Sequence, residues 1–351
     1  MDAIGIRDAG PEILDVPRPE AGDGQALVRT LRVGVDGTDH EVIEGAHGGF
    51  PPEDDYLILG HEAVGVVEDP NGTNFDRGDI VVPTVRRPPA SGPNEYFTRG
   101  EADMAPPDAT VERGIAGAHG FMSEYFVSDE EYLVEIPEEL ARWGFLVEPV
   151  SISEKALELA YASRSSFTWE PETALVLGNG SLGLLTVAML TAEMEVYCLG
   201  RRDRPDPSID VIESLGGTYI DSRETPVDEI SATHEPVDLV YEATGYAKHA
   251  ISSVDALAPN GVVALLGLPE PWRFEIDGGR FHKELVMTNK AMVGSVNSGP
   301  QHFQEAVTRL DGLPEHAISD IVTAVVEYTE FEEAFETDEE TIKTAIQFSQ
   351  L

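Results

Sequence analysis

The chain has 351 residues, of which 65 are acidic and 23 basic, and its net charge is −42. So large an acid excess excludes nucleic acid and anionic membranes as partners, because both repel a polyanion. The acids are spread along the chain and 41% of residues are hydrophobic, so we expect folded domains rather than a disordered tail.

This charge predicts a halophilic protein. Acids so closely spaced repel one another in dilute buffer, and molar salt screens that repulsion. A localised acidic face for a cationic partner is the alternative, but the acids are scattered. The N-terminal residues contain no leader and no apolar run is long enough to span a membrane, so we expect a soluble, cytoplasmic protein. Cys198 is the single cysteine, which excludes an internal disulfide.

The length predicts two domains. Residues 1–150 contain short β-rich runs broken by proline and glycine, which is typical of a barrel-like β domain. Within them, residues 83–120 form a long excursion with little periodicity, where binding residues can lie. Residues 151–292 alternate strands with helices and predict an α/β domain with a doubly wound parallel sheet. We expect residues 293–351 to return to the first domain.

A glycine loop lies between the first strand and the next helix of this α/β domain. It contains Gly178, Asn179, Gly180, Ser181, Leu182 and Gly183. Gly178 makes the tight turn, Gly180 lets the backbone approach a pyrophosphate, and Gly183 lets the helix pack closely on the strand. The loop therefore predicts a dinucleotide site.

The next strand ends at Gly200-Arg201-Arg202, where an NAD enzyme would carry an acid for the ribose 2′-hydroxyl. Two guanidinium groups suit a 2′-phosphate, so we predict NADP in preference to NAD; a solvated basic loop is the alternative. We also assign to the cofactor residues that follow the later strands, namely Thr244, Gly245, Leu266, Gly267, Leu268, Ser295, Val296 and Asn297.

A second motif begins at Gly60-His61-Glu62 and continues through Gly65-Val66 to Gly78-Asp79. It resembles the zinc signature of the medium-chain dehydrogenase/reductase superfamily, which implies a GroES-like catalytic domain and a catalytic Zn²⁺. The resemblance implies Asp36, His61 and Glu148 as ligands, with Asp36 in place of the usual cysteine. Glu62 is either a group beside the ligands or an alternative ligand. The four cysteines of the superfamily's structural zinc site are missing.

Within the superfamily the chain is similar to the archaeal glucose dehydrogenases, with Gly120-Phe121-Met122 and Gly294-Ser295 among the shared features. That resemblance implies oxidation of an aldose, D-glucose, at C1 to the lactone, with hydride transfer to NADP. It implies catalytic roles for Thr38, Glu62 and Glu148. It also implies that Thr38, Glu112, Glu148 and Asn297 bind the sugar. We expect a homo-oligomer, either a dimer or a tetramer.

Alternatives stay open at this point. A zinc polyol, alcohol or threonine dehydrogenase shares the fold and the metal. A non-catalytic relative that binds NADPH would not need an open metal site. For single residues, Asp36 can be a turn acid, His61 an ordinary polar residue, Glu148 an acid at a helix start, Glu112 a surface acid and Asn297 an amide at a strand end.

Overall fold

A computed structural model of the protein describes residues 1–7, 10–336 and 338–351. The described chain forms two compact units. Unit 1 contains Met1–Ser151, Asn297–Gly312 and Val322–Leu351, and unit 2 contains Ile152–Val296 and Leu313–Ile321. None of the described helices is long and apolar enough to cross a membrane.

The strands run from β1 to β19 in chain order. They are β1 (Asp2–Ile6), β2 (Pro11–Asp15), β3 (Gln25–Val35), β4 (Leu57–Ile58), β5 (Glu62–Asp69), β6 (Ile80–Pro83), β7 (Arg86–Arg87), β8 (Val111–Arg113), β9 (Gly117–Ala118), β10 (Tyr125–Asp129), β11 (Leu133–Ile136), β12 (Thr173–Leu177), β13 (Glu195–Gly200), β14 (Thr218–Asp221), β15 (Val237–Glu242), β16 (Leu257–Leu265), β17 (Ala291–Gly294), β18 (Val322–Glu327) and β19 (Lys343–Gln347).

The α-helices connect these strands or flank the sheets. They are α1 (Gly37–Ile43), α2 (Glu95–Thr98), α3 (Val147–Ser163), α4 (Ser181–Leu190), α5 (Pro207–Ser214), α6 (Ile230–Thr233), α7 (Ala247–Ala256), α8 (Gly278–Met287), α9 (Pro300–Gly312), α10 (Glu315–Ile321) and α11 (Glu332–Phe335).

Unit 1 is built around strand β3, which has 11 residues and is buried along most of its length. The main sheet has the order β11-β6-β5-β3-β19-β18, and β10 also pairs with β3. The core beneath it contains Ile4, Leu57, Phe121 and Met122, all of which are fully buried. Because β5 and β19 flank β3, this sheet joins a segment near the start of the chain to one near its end.

Unit 2 contains a parallel sheet with the order β14-β13-β12-β15-β16-β17. Its central strand is continuously apolar because helices cover both faces of such a sheet, and Leu175, Val176 and Leu177 are fully buried. The strand order reverses at β12, and ligands bind beyond the carboxyl ends of the strands at such a point. The predicted α/β fold with a doubly wound parallel sheet is confirmed.

The segment after Val296 does not stay in one unit. Strands β18 and β19 lie in unit 1, while Leu313–Ile321 packs with unit 2. Helix α10 contacts α4 and α5, and its apolar residues Ala317, Ile318 and Ile321 are buried. The compact units differ from the predicted ranges at Ser151, at residues 293–296 and in this short helix, whose apolar face is covered by helices that flank the parallel sheet.

Candidate active site

Asp36 lies at the junction of β3 and α1. It caps the helix, because its Oδ1 accepts a hydrogen bond from the backbone N–H of Asp39 at 3.1 Å, and the Asp39 Oδ2 accepts one from the Asp36 N–H at 3.1 Å. The second carboxylate oxygen of Asp36, Oδ2, accepts a hydrogen bond from Thr38 Oγ1 and lies 3.6 Å from His61 Nε2. One oxygen therefore holds the helix start while the other faces the histidine.

His61 precedes strand β5 and is 4% exposed. Gly60 before it has φ of +84° and lies so close to Met122 and Val33 that a side chain there would clash with both. His61 Nδ1 lies 3.9 Å from Asp39 Oδ1, and neither atom has a hydrogen-bond partner in the described chain. Buried polar atoms left unpaired in this way are typical of a site that takes a ligand.

Glu148 is the second residue of α3 and is 5% exposed. His61, Glu62 and Glu148 each offer a ligand atom, and these atoms lie within 4.8 Å of one another, as do those of Asp36, Asp39 and His61. The structure thus brings together all four predicted ligand residues from three segments of unit 1. Asp39 joins them, although the sequence interpretation did not assign it a role.

The electrostatics of this cluster are those of an acid-rich pocket. Burial, with like-charged neighbours, raises the pKa of Glu148 to about 8, and burial beside Asp36 raises the pKa of Asp39 to about 7. Burial opposes a charge on His61, but the carboxylates outweigh it and raise the histidine pKa. One imidazole among several carboxylates is a donor set that a divalent cation such as Zn²⁺ accepts.

Lys343 was also missed by the sequence interpretation. It is 1% exposed, and its Nζ contacts the carboxylate of Glu62 and donates to the carbonyl of Val35 at 3.0 Å. Gly34 leaves space for this pair, because a Cβ there would overlap the Glu62 carboxylate. No local motif marks Lys343; its position follows from the pairing of β19 with β3.

The predicted sugar-binding residues Glu112 and Asn297 lie together in unit 1. Asn297 Nδ2 donates to Glu112 Oε1 at 2.7 Å, and Arg86 Nε donates to the same oxygen at 3.0 Å. Arg86 is 4% exposed and also donates to the carbonyls of Asp103 and Ala105. The amide oxygen of Asn297 has no partner in the described chain, so it is free to accept from a ligand hydroxyl.

The glycine loop of unit 2 follows β12 as predicted. Gly178 has φ of +113°, which other residues rarely adopt, and a Cβ on Gly183 would overlap the carbonyl of Gly178. Open space surrounds Gly180, which is the N-cap of α4. The α4 N-terminus therefore presents backbone N–H groups with room for an anion.

A cavity of about 960 Å³ lies beside this loop, and Gly178, Asn179, Arg201, Arg202 and Thr244 line it among the predicted cofactor residues. Both arginines are exposed. Arg223 lines the same cavity and was missed, although it lies two residues after the end of strand β14; its guanidinium forms ion pairs with Asp203 and Asp221. Three guanidinium groups on one cavity favour a ligand that carries a further phosphate group in addition to a pyrophosphate.

The other predicted cofactor residues lie after later strands. Gly245 has φ of +66° and lies against the Leu268 backbone, and a Cβ on Gly267 would overlap the Gly245 N atom. Leu266 donates its N–H to the carbonyl of Glu242. Ser295 is buried and Val296 is half exposed at the end of β17, whereas Asn297 groups with unit 1.

Comparisons with known proteins agree with this architecture. Residues 22–138 match the family model of the alcohol dehydrogenase GroES-like domain, and residues 141–348 match that of the glucose dehydrogenase C-terminus. The chain is 61% identical over 355 residues to a glucose 1-dehydrogenase of Haloferax mediterranei, with 99% of each chain covered. It is 60% identical over 365 residues to glucose 1-dehydrogenase 1 of Haloterrigena turkmenica, with both chains fully covered.

A solved structure gives the same relationship in three dimensions. It is the Haloferax mediterranei glucose dehydrogenase in complex with NADP, Zn and gluconolactone, and it is 61% identical, with a TM-score of 0.98 and 100% of both chains covered. The expected resemblance and the GroES-like domain are thereby confirmed. The chain belongs to the glucose 1-dehydrogenase family within the zinc-dependent medium-chain dehydrogenase/reductase superfamily.

Proposed function

We propose that this protein is a zinc-dependent glucose 1-dehydrogenase that oxidises D-glucose at C1 to the lactone and transfers the hydride to NADP. The full-length match to a structure that holds NADP, Zn and gluconolactone carries this proposal. The buried histidine and carboxylate cluster of unit 1 and the arginine-lined cavity of unit 2 support it from the chain's own residues.

We assign the Zn²⁺ to Asp36, His61 and Glu148. Glu62 is the remaining carboxylate, and Lys343 already neutralises it, so it fits a place beside the metal better than a place on it. A Zn²⁺ held by these three residues would act as a Lewis acid and would lower the pKa of the C1 hydroxyl.

Thr38 fits the proton path better than Glu62 does. Thr38 is half-buried and its Oγ1 donates to Asp36 Oδ2 at 3.1 Å; if this hydroxyl turned its own proton towards solvent and released it, it would accept the proton of the C1 hydroxyl in exchange. Glu62 is 1% exposed and ion-paired, which makes it a poor route to solvent. Glu112, Glu148 and Asn297 provide amide and carboxylate groups for the sugar hydroxyls.

For the cofactor we assign the pyrophosphate to the loop at Gly178–Gly183 and the 2′-phosphate to Arg201 and Arg202, with Arg223 as a third cation. Thr244, Gly245, Leu266, Gly267, Leu268, Ser295, Val296 and Asn297 complete the assigned cofactor set. The arginines favour NADP over NAD because an unphosphorylated ribose makes no use of their charge.

We further propose a cytoplasmic homo-oligomer, either a dimer or a tetramer. Strand β17 is the edge of the parallel sheet, and helix α8 buries none of its residues within its own chain. Val286 is 62% and Met287 70% exposed on this helix. An open sheet edge beside uncovered apolar side chains favours association with a second copy.

The test is a substrate panel in molar KCl. Initial rates of NADPH formation with D-glucose, other aldoses, a polyol, threonine and a simple alcohol should show turnover with aldoses alone. A chelator should abolish that turnover, and added Zn²⁺ should restore it. Preferential oxidation of the polyol, threonine or alcohol would refute the sugar assignment, and turnover that survives complete metal removal would refute the zinc assignment.

A further inference from the structure

Unit 1 also contains a cavity, and the proposed reaction does not use the charged side chains that line it. It measures about 540 Å³, and its wall includes Arg87, Arg113, Tyr56, His119 and Asp129. The predicted metal ligands do not line it. Its volume lies in the range of small-molecule sites.

Arg87 is 7% exposed, yet its hydrogen bonds go to neutral groups. Nη1 donates to the carbonyl of Thr84 at 2.8 Å and to that of Arg86 at 2.9 Å, and Nη2 donates to Ser128 Oγ at 3.1 Å. The guanidinium also lies 4.3 Å from the ring centre of Tyr132. Within the described chain no carboxylate forms an ion pair with it.

Arg113 has a similar environment. Its Nε donates to the carbonyl of His119 and its Nη1 to that of Val127, and the guanidinium lies 4.7 Å from the ring centre of Phe121. Its Nη2 donates to no described residue, and no described carboxylate is paired with it. Arg113 therefore has N–H groups left for a partner from outside the chain.

Burial of the Arg87 and Arg113 guanidiniums disfavours their charged forms. Burial lowers the pKa of Arg87 to about 9, with the charge of Arg113 adding to the effect, and burial lowers that of Arg113 to about 10. Asp129 on the same wall opposes both shifts. Glu131 also opposes the shift of Arg87 but does not line the cavity, so Asp129 is the one carboxylate facing two guanidiniums among the described residues of this wall.

We propose that this cavity binds a small hydroxylated anion, with its carboxylate or phosphate group at Arg87 and Arg113. Guanidinium groups match the planar or trigonal oxygens of such anions. Asp129, which accepts a hydrogen bond from Gln25 through Oδ1, has a second oxygen that accepts from a ligand hydroxyl. The stacked rings of Tyr56 and His119, whose centres are 4.6 Å apart, form a flat wall for the rest of the molecule. Sugar acids and sugar phosphates share this chemistry.

Calorimetric titration of the full protein tests the proposal at constant K⁺ concentration and ionic strength. Gluconate, glucose 6-phosphate and inorganic phosphate are the probes, and their relative affinities distinguish a sugar acid from a sugar phosphate. We expect saturable binding of at least one hydroxylated anion. Arg113→Gln should weaken it at least about tenfold, while the control Arg164→Gln in unit 2 should leave it unchanged.

Three results would overturn the proposal. The first is that no probe shows saturable binding. The second is that the Arg113→Gln protein binds with the same affinity as the wild type, which would place the ligand elsewhere. The third is that inorganic phosphate binds as tightly as both hydroxylated anions.

A second measurement needs no variant and so does not depend on whether Arg113→Gln folds. An arginine-specific dicarbonyl reagent, followed by peptide mass spectrometry, reports which guanidiniums a ligand covers. Gluconate or glucose 6-phosphate should slow modification of Arg87 and Arg113 and leave that of Arg164 unchanged. Unchanged labelling of Arg87 and Arg113 at saturating ligand would contradict the assignment.

Discussion

The two assigned sites of this protein organise charge in opposite ways. Around His61 the charged groups are buried, come from segments far apart in sequence and depend on one another. Along the nucleotide cavity, Arg201 and Arg202 are adjacent in sequence and exposed. Substitution of one of them therefore does not leave the other as a buried, unpaired charge. The first site therefore couples function to folding, whereas the second couples it mainly to ligand affinity.

The strongest test of this contrast is to remove the centre of the buried cluster. His61→Ala should eliminate metal binding and turnover together, because the imidazole is the shared member of both ligand triads. NADPH affinity, measured by cofactor fluorescence, should stay within about twofold, since the glycine loop and the arginines assigned to that site lie in unit 2. His316→Ala, at an exposed position, is the control. Full activity in metal-free His61→Ala protein would overturn the mechanism.

Loss of the buried cation should be the next largest effect. Lys343→Met leaves the Glu62 carboxylate without its partner, and breaking such a pair costs about 3–5 kcal/mol of unfolding free energy. Denaturant unfolding in molar salt measures this loss. The double variant Glu62→Gln with Lys343→Met should regain much of it, and Lys283→Met, at an exposed site, should cost little. A Lys343→Met protein as stable as the wild type would show that the pair is not stabilising.

The exposed arginines should affect affinity without affecting the fold. Arg201→Ala combined with Arg202→Ala should raise the KM for NADP tenfold to about a hundredfold and leave that for NAD nearly unchanged, since a charged hydrogen bond contributes about 1.5–3 kcal/mol. The unfolding midpoint should not move. Arg223→Ala should give a smaller effect of the same kind, because two aspartates share its guanidinium. Equal losses for both cofactors would contradict the 2′-phosphate assignment.

The smallest expected effect is a pH dependence of metal binding. With its pKa raised to about 8, Glu148 is protonated at neutral pH in the metal-free protein, and a metal must displace that proton. Apparent Zn²⁺ affinity should therefore fall by up to about tenfold for each pH unit below 8 from this group alone. Titrations in buffers of different ionisation enthalpy measure the released proton, and Glu148→Gln should remove its contribution.

The raised pKa of Glu148 also determines whether the metal-free protein gains or loses stability as pH rises. A carboxyl whose pKa is higher in the folded than in the unfolded state binds more protons when folded, so the folded protein loses stability as pH rises from the usual glutamate range towards 8. The raised pKa of His61 acts in the same direction. Glu148→Gln should flatten this dependence, and the exposed Glu172→Gln should not. Stability that rises with pH over this range would contradict the shift.

The sequence predicts local features well and distant ones poorly. The turn at Gly178 and the close packing at Gly183 depend on residues within one strand-loop-helix segment, so the spacing alone predicts them. Lys343 could not be found in this way, because it reaches Glu62 only through the pairing of β19 with β3. Asp39 was missed because its capping pattern explains it as a helix-start residue and conceals its burial beside His61.

Helix α10 shows the same limit at the level of domains. Its apolar residues indicate a buried face, but nothing in seven residues identifies the surface that covers it. The neighbouring strand β18 joins unit 1, while α10 joins α4 and α5 in unit 2. The prediction from sequence placed both β18 and α10 in the first domain.

The bond between Lys343 and the carbonyl of Val35 joins residues 308 positions apart. During synthesis β3 and β5 leave the ribosome long before β19 exists. Among the described residues, the Lys343 ammonium is the buried partner of Glu62, and it is absent until then. Closing so long a loop is slow compared with local pairing. Lys343 can therefore reach the Glu62 carboxylate only after β19 has been synthesised, so this buried acid gains its ammonium partner later than the local pairing of β3 with β5 forms.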